Sequence, residues 1–319
     1  MTKVLLPLDE ATAQVNNLLE QELFGHSDCF DELVLPLVKA GGKRMRARLC
    51  LLLALQEDGK ISPWAYQLAA AVEMLHLATL IHDDVLDEAA LRRGTPTIHS
   101  KEGNKVAILS GDYLFARSFD MISRVPSTVF LPIFTDVIVS LVEGEFLQMA
   151  DIDNVDQSVD RYLLKSKKKT ADLVVAAIEV GARLGNFLEE DIVHLKKYGH
   201  ALGMLFQITD DVLDYTSVAE ISGKEAGQDL KEGLITYPLL SIVNEENKQY
   251  IKETLSRIEQ GENPEELLSY VLAEGGIECS ERLALTYAQE AKEELQQVAE
   301  FVGKDMLNMY VDALMHRNK

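Results

Sequence analysis

The chain has 319 residues, with 31 Lys and Arg against 52 Asp and Glu, a net charge of 31 − 52 = −21. A surface this acidic repels phosphate backbones and excludes a nucleic-acid-binding role. At 47% hydrophobic residues the chain can bury a sizeable core. Helix formers dominate and alternating β-type segments are missing, so the expected class is all-α, in one large domain spanning 1–319. The start, Met-Thr-Lys-Val-Leu-Leu-Pro, lacks a signal-peptide layout, and no uninterrupted apolar run reaches bilayer-spanning length. The expectation is a soluble cytoplasmic protein with at most transient membrane contact. Cys29, Cys50 and Cys279 are odd in number and without metal-ligand spacing, as expected of reduced thiols.

In chain order, helical periodicity covers about 9–24 and then 28–40, the second carrying Pro36. Ala40-Gly-Gly-Lys-Arg-Met-Arg46 follows, and Lys43, Arg44, Arg46 and Arg48 open the next helix. Cations are the wrong sign for a helix N-terminus, where a dianionic ligand would be welcome. A solvated basic turn is the plainer alternative. Ser62 and Pro63 start a long helix expected to reach about Leu91, apolar nearly all round from Gln67 to Ile81. Further helices are expected over 102–123, 127–150, 157–186 and 188–217. Lys165-Ser-Lys-Lys-Lys-Thr170 is a third basic cluster, for which a solvated face is the ordinary reading. Residues 222–238 form the longest irregular stretch and are expected to act as a lid. Amphipathic helices resume after Tyr237, broken at Gly261 and at Gly275-Gly276.

Two stretches stand out. His82-Asp-Asp-Val-Leu-Asp87 ends the long apolar helix, and Asp210-Asp-Val-Leu-Asp214 repeats the last five residues after a second apolar run. On a helix Asp83 and Asp87 are i,i+4 neighbours, and Asp84 and Asp87 are i,i+3 neighbours. Carboxylates at 4 Å repel by ~4 kcal/mol at an effective dielectric of about 20. No Lys or Arg lies within a turn, so an external cation is expected to relieve the repulsion. Oxygen-only donors suit a hard divalent ion, Mg²⁺ before Ca²⁺ or Mn²⁺. One such cluster could be a solvated helix end. Two copies argue for two metal-binding rims serving one ligand, most simply a diphosphate.

With G-G-K-R-x-R at 41–46, D-D-x-x-D and R-R-G at 83–94, G-D-Y at 111–113, K-T at 169–170 and F-Q-x-x-D-D-x-x-D at 206–214, the chain resembles the all-trans polyprenyl diphosphate synthases over about 38–240. The resemblance implies an antiparallel helical bundle around a central cavity, with the two aspartate motifs facing each other. It implies that Asp83, Asp84, Asp87, Asp210, Asp211 and Asp214 hold Mg²⁺, three ions per site with Mn²⁺ as a substitute, for an allylic diphosphate. Arg92, Lys169, Thr170, Gln207 and Lys224 would contact that diphosphate, and Lys43, Arg46, His76 and Arg93 would hold isopentenyl diphosphate. Phe206 matches the position beside the reacting carbons. The implied reaction condenses the two substrates head to tail, in a homodimer or as the catalytic half of a heterodimer. Two departures stand: Ala47 replaces the usual proline after the basic motif, and Leu234 replaces a lysine often found late in the chain.

Three rivals share features with this reading. A class I terpene or squalene-type synthase usually lacks the second full motif and the G-G-K-R-x-R site. A non-catalytic partner subunit need not keep all the aspartates. A di-iron carboxylate bundle could use Glu73-x-x-His76, but needs a second copy. For product length, Ala78 and Thr79 lie one turn before Asp83, with Leu75 a further turn down. Their small side chains predict a tail running toward Phe115 and Phe119, and a product of roughly six to ten units at ~5.4 Å per turn. A short-chain product is the alternative.

Overall fold

The computed structural model describes residues 2–23, 28–39, 42–92, 94–216 and 226–316. The expected all-helical class holds. Helices are α1 (Thr2–Leu23), α2 (Asp28–Lys39), α3 (Met45–Ala54), α4 (Pro63–Leu86), α5 (Ile98–Glu102), α6 (Asn104–Ser123), α7 (Phe130–Ala150) and α8 (Val159–Ser166). A π-helical turn, Lys167–Ala171, leads into α9 (Asp172–Leu184) and α10 (Glu189–Thr216). Then come α11 (Gln228–Lys231), α12 (Tyr237–Leu240), α13 (Lys248–Glu259), α14 (Glu265–Ala273), α15 (Gly276–Gln297) and α16 (Lys304–Met315). Among the described residues the one sheet is a two-stranded ribbon, β1 (Leu91–Arg92) paired antiparallel with β2 (Thr95–Pro96).

The chain groups into two compact units. The first comprises Met1–Thr135, Ala176–Leu195 and Ala299–Leu307. Its central helix is α4, whose Leu68 to Val72, Met74, Leu75 and Ala78 are fully buried. By length and composition α4 could span a bilayer, although Gln67, Glu73 and His76 interrupt its apolar run, and most of it is buried inside the fold. It packs on α1, α3 and, most extensively, α6. The α4–α6 pair is antiparallel: Gln67 Nε2 donates to the Met121 carbonyl at 2.5 Å, Ser118 Oγ to that of Ala71 at 3.1 Å, and the His82 ring meets the Ile108 carbonyl at 3.1 Å. The helix stops at Leu86, not near Leu91, because Glu88 turns left-handed at φ 51°. The N–H groups of Asp87 and Ala89 then return to the Asp83 and Asp84 carbonyls, which closes the end.

The second unit comprises Asp136–Val175, Lys196–Val298 and Asn308–Lys319. Its core gathers Tyr162, Tyr215, Leu230, Ile235, Leu239, Ile251, Leu255, Leu267 and Val271. α10 approaches the π-turn so closely that a Cβ on Gly203 would lie 2.5 Å from the Ala171 Cα. Only a residue without a side chain fits there. Most of the late stretch expected to be irregular, 226–238, is described and is folded: the Gly227 N–H donates to the Asp214 carbonyl at 2.8 Å, α11 buries Leu230, and α12 begins at Tyr237.

Candidate active site

The first aspartate motif occupies the last turn of α4. Asp84 is only 3% exposed, Asp83 is half-buried and Asp87 exposed. Part of the repulsion is relieved from inside the chain, at Asp84, by an arginine eight residues away in sequence. The ribbon β1–β2 folds back and places Arg92 Nε 2.6 Å from Asp84 Oδ1. Burial raises the Asp84 pKa, while Arg92 and His99 pull it back down. His82, to which sequence reasoning gave no role, wedges against α6: its ring lies 5.6 Å from that of Phe115 and its Nε2 3.6 Å from Asp112 Oδ1. The signal for it was Gly111 in the G-D-Y motif, where a Cβ would strike that ring.

The basic cluster divides. Arg44, left-handed at φ 49°, is inward-facing and structural. It donates from Nε to Asn16 Oδ1 at 2.9 Å and from Nη2 to the Val38 carbonyl at 2.6 Å, and it pairs with Glu73 at 3.5 Å. Arg48 pairs with Asp9 at 2.8 Å. Lys43 is exposed and Arg46 half-buried. Glu73 Oε1 accepts the Ala47 N–H at 3.0 Å, so a carboxylate from α4 supplies the negative charge at the α3 N-terminus. That commitment removes Glu73 as a di-iron ligand. His76 and Thr79 are half-buried, with Thr79 Oγ1 donating to the His76 carbonyl at 2.8 Å, and Leu75 and Ala78 are fully buried.

The second motif lies near the C-terminal end of α10 and shows the same division: Asp210 exposed, Asp214 half-buried, and Asp211 only 2% exposed. Here the buried carboxylate is held by neutral groups. Tyr162 OH donates to Asp211 Oδ2 at 2.5 Å and Gln207 Nε2 to Oδ1 at 2.7 Å. Gln207 Oε1 in turn accepts from Thr170 Oγ1 at 2.5 Å. Two sequence-distant motifs, 169–170 and 206–214, are thereby joined by hydrogen bonds. Burial pushes the Asp211 pKa up to about 7, with Asp210 adding to the rise and Tyr162 and Gln207 opposing it. Lys169 and Thr170 sit on the π-turn, a form rare in helices and frequent at functional sites. Lys169 Nζ meets Glu145 Oε1 at 2.6 Å. Asp214 also anchors the start of α11, where its Oδ1 and Oδ2 accept the Gln228 and Asp229 N–H groups, both at 3.2 Å. Phe206 is half-buried. Tyr162, Lys165 and Glu145 belong to this surround and were missed, since nothing in their spacing marks them. Arg93, Lys224 and the first four residues of the expected lid, 222–225, lie outside the described residues, whereas 226–238 are described.

The donor set is oxygen only, which suits a hard divalent cation. Among the described residues no three His, Cys, Asp or Glu groups converge tightly enough to enclose an ion.

The sequence profile described as polyprenyl synthetase matches residues 27–274. The chain is 35% identical to heptaprenyl diphosphate synthase component 2 of Bacillus subtilis, over 90% of this chain and 85% of that one. The crystal structure of a decaprenyl diphosphate synthase from Rhodobacter capsulatus matches with a TM-score of 0.91 at 33% identity, over 100% and 99% of the two chains. A polyprenyl synthase from Caulobacter crescentus, complexed with calcium and isoprenyl diphosphate, gives a TM-score of 0.91 at 31% identity, over 100% and 98%.

Proposed function

This chain belongs to the polyprenyl synthetase family and is a prenyltransferase, and from that premise we propose that it extends an allylic diphosphate with isopentenyl diphosphate to a medium- or long-chain all-trans product. The observation that carries the reading is the repeated D-D-V-L-D at the ends of α4 and α10, each with one buried, hydrogen-bonded aspartate beside a more exposed one. One profile covering 27–274 supports a single functional domain. Relatives with hepta-, octa-, nona- and decaprenyl names support the longer class, but a short-chain synthase and geranylgeranyl synthases match as well, so the names do not fix a number.

Asp83, Asp84, Asp87, Asp210, Asp211 and Asp214 would hold Mg²⁺, with the Caulobacter complex supporting a divalent ion beside a prenyl diphosphate. Bound there, the metal supplies Lewis-acid charge to the departing pyrophosphate. Arg92, Lys169 and Thr170 contact the same leaving group, and Gln207 keeps Thr170 and Asp211 in register. Lys43, Arg46, His76 and Arg93 anchor isopentenyl diphosphate, whose double bond attacks the allylic carbon. The alkene is the nucleophile and the proton lost afterwards goes to the released pyrophosphate, so neither a protein nucleophile nor a protein base is needed. Apolar helix faces keep water from the allylic cation.

A second copy of the chain is the proposed partner. α7 exposes Val139, Val142, Phe146 and Met149, spaced three, four and three residues apart, as on a helix meant to meet its own equivalent. Val142→Glu is expected to yield monomers in sedimentation; dimers persisting in that variant would remove this face, and a monomeric parent chain would point to a different subunit instead. The free thiols Cys50 and Cys279 support cytoplasmic placement. The reaction itself is tested by incubating the purified chain with Mg²⁺, an allylic primer and labelled isopentenyl diphosphate. Label in an extractable polyprenyl product is expected, and its absence would overturn the assignment.

A further inference from the structure

Lys165, near the end of α8 and four residues before Lys169, is 5% exposed. Its ammonium stands 6.0 Å from the centre of the Tyr162 ring, whose hydroxyl is bonded to Asp211. Among the described residues no carboxylate comes within the 4.0 Å of an ion pair with it. A buried ammonium without an anion at hydrogen-bond distance is costly and calls for a partner.

Two of the three carboxylates that act on Lys165, Asp151 and Asp211, have partners of their own. Asp151 receives Arg161 Nε at 2.7 and 2.6 Å on its two oxygens. Asp211 is taken by Tyr162 and Gln207. Lys169, on the next turn, is held by Glu145. Burial moves the Lys165 pKa down, and Asp211, Asp151 and Asp229 move it back up. A divalent ion held at 210–214 would take Asp211 out of that balance, and an anionic oxygen of the ligand would then be the counter-charge within reach of the ammonium.

Leu234 occupies the position where a lysine is expected, and its N–H is tied to the Asp229 carbonyl at 2.8 Å. Lys231 is exposed at the end of α11. We infer that Lys165 binds the allylic diphosphate and supplies the positive charge that Leu234 leaves out. The inference rests on the prenyltransferase reading and adds a binding residue to it.

Lys165→Met keeps the length and removes the charge. Calorimetric titration of the folded variant with pyrophosphate in Mg²⁺ buffer is expected to show about ten- to a hundred-fold weaker binding, the range for a lost charge-assisted hydrogen bond. The KM for the allylic primer should rise in step, while that for isopentenyl diphosphate stays within about twofold. Adding Leu234→Lys to Lys165→Met should restore most of the affinity. Unchanged pyrophosphate binding in Lys165→Met overturns the inference, and so does a loss that Leu234→Lys fails to relieve. Should Lys165→Met not fold, Leu234→Lys alone decides. It is expected to bind pyrophosphate within about twofold of the parent, and a tenfold gain would show that the charge had been missing. Failure of the prenyltransferase reading is distinguishable, since the parent chain would then incorporate no label.

Discussion

Gly111 on α6 and His82 on α4 touch so closely that a Cβ at 111 would lie 2.2 Å from His82 Nε2 and 2.4 Å from Cδ2. The contact fixes the last turn of α4, and Asp83 and Asp84 follow directly. Gly111→Ala must therefore push the imidazole and that turn aside, at about 1–3 kcal/mol by overpacking. Its melting temperature should fall, and kcat should fall further than in a control variant of equal stability loss elsewhere. A drop in stability with kcat unchanged would confine the contact to packing.

The repeated motif is read differently at its two aspartates. Asp83 and Asp210 are the more exposed members, whereas Asp84 and Asp211 are buried against Arg92 and against Tyr162 with Gln207. Asp83→Ala and Asp210→Ala should each lower kcat by about a hundredfold or more with folding intact. Asp214→Asn keeps one of the two α11 N–H bonds, turns an NH2 toward the other and is a poorer metal donor, so a small fall in melting temperature is expected whichever role dominates and kcat separates them. Loss of kcat assigns Asp214 to the metal; normal kcat assigns it to the helix start.

Arg44 and Arg46, two residues apart, should respond in opposite ways. Arg44→Ala removes the cation paired with buried Glu73 and should cost about 3 kcal/mol of stability. Arg46→Ala should instead raise the KM for isopentenyl diphosphate more than that for the allylic primer. The reverse ranking of the two KM changes would mean that the two diphosphate pockets have been exchanged.

Much of this was legible because it follows from local rules. Apolar periodicity placed α6, α7 and α10 within a few residues of their ends, and the cost of clustered carboxylates marked both motifs. What sequence could not show was which charges the fold would satisfy itself. Arg92 reaches Asp84 only because Glu88 adopts a left-handed turn and β1–β2 folds back. No glycine marks that helix end, so the helical pattern alone runs on to near Leu91. Tyr162 and Lys165 lie more than forty residues before Asp211 in sequence, and a charge run gave no hint that its first lysine is buried while Lys169 pairs with Glu145. The π-turn carrying Thr170 follows from tertiary packing against Gly203, which no propensity encodes.

His200 offers a pH test away from the metal. It is half-buried, with its ring 6.2 Å from that of Tyr287, and burial lowers its pKa. Glu290 and Asp172 oppose that shift and Lys167 reinforces it. A depressed folded-state pKa means that the unfolded chain binds more protons at mildly acid pH. The stability that His200 contributes is thus present above the unfolded value of ~6.5 and is lost as pH falls toward the lowered folded value. The slope for one proton is at most about 1.4 kcal/mol per pH unit. His200→Phe, which keeps a ring beside Tyr287, should flatten the decline in melting temperature between neutral and acid pH. An identical acid slope in the variant would remove His200 from the pH response.

Product length is set by how far a tail can descend beside α4. From Pro63 to Asp83 is 83 − 63 = 20 residues, ~30 Å of helix, or about six isoprene units at one unit per ~5.4 Å turn. That depth meets the lower end of the expected six to ten units; longer products require the tail to continue past the start of α4. One turn below Asp83 the two candidate positions are not equivalent. Ala78 is fully buried, so Ala78→Phe must overpack the core before it can meet a tail, at about 1–3 kcal/mol. Thr79 is half-buried, and its hydroxyl is satisfied by the His76 carbonyl of its own helix. Thr79→Tyr can therefore project a ring with little strain and is the cleaner probe. It should shorten the product to about three or four units while the rate of the first condensation persists. Chromatography of the extracted polyprenols is the measurement. An unaltered product length in Thr79→Tyr, with Ala78→Phe merely less stable, would mean that the tail leaves along another face and that Ala78 and Thr79 only pack the helix.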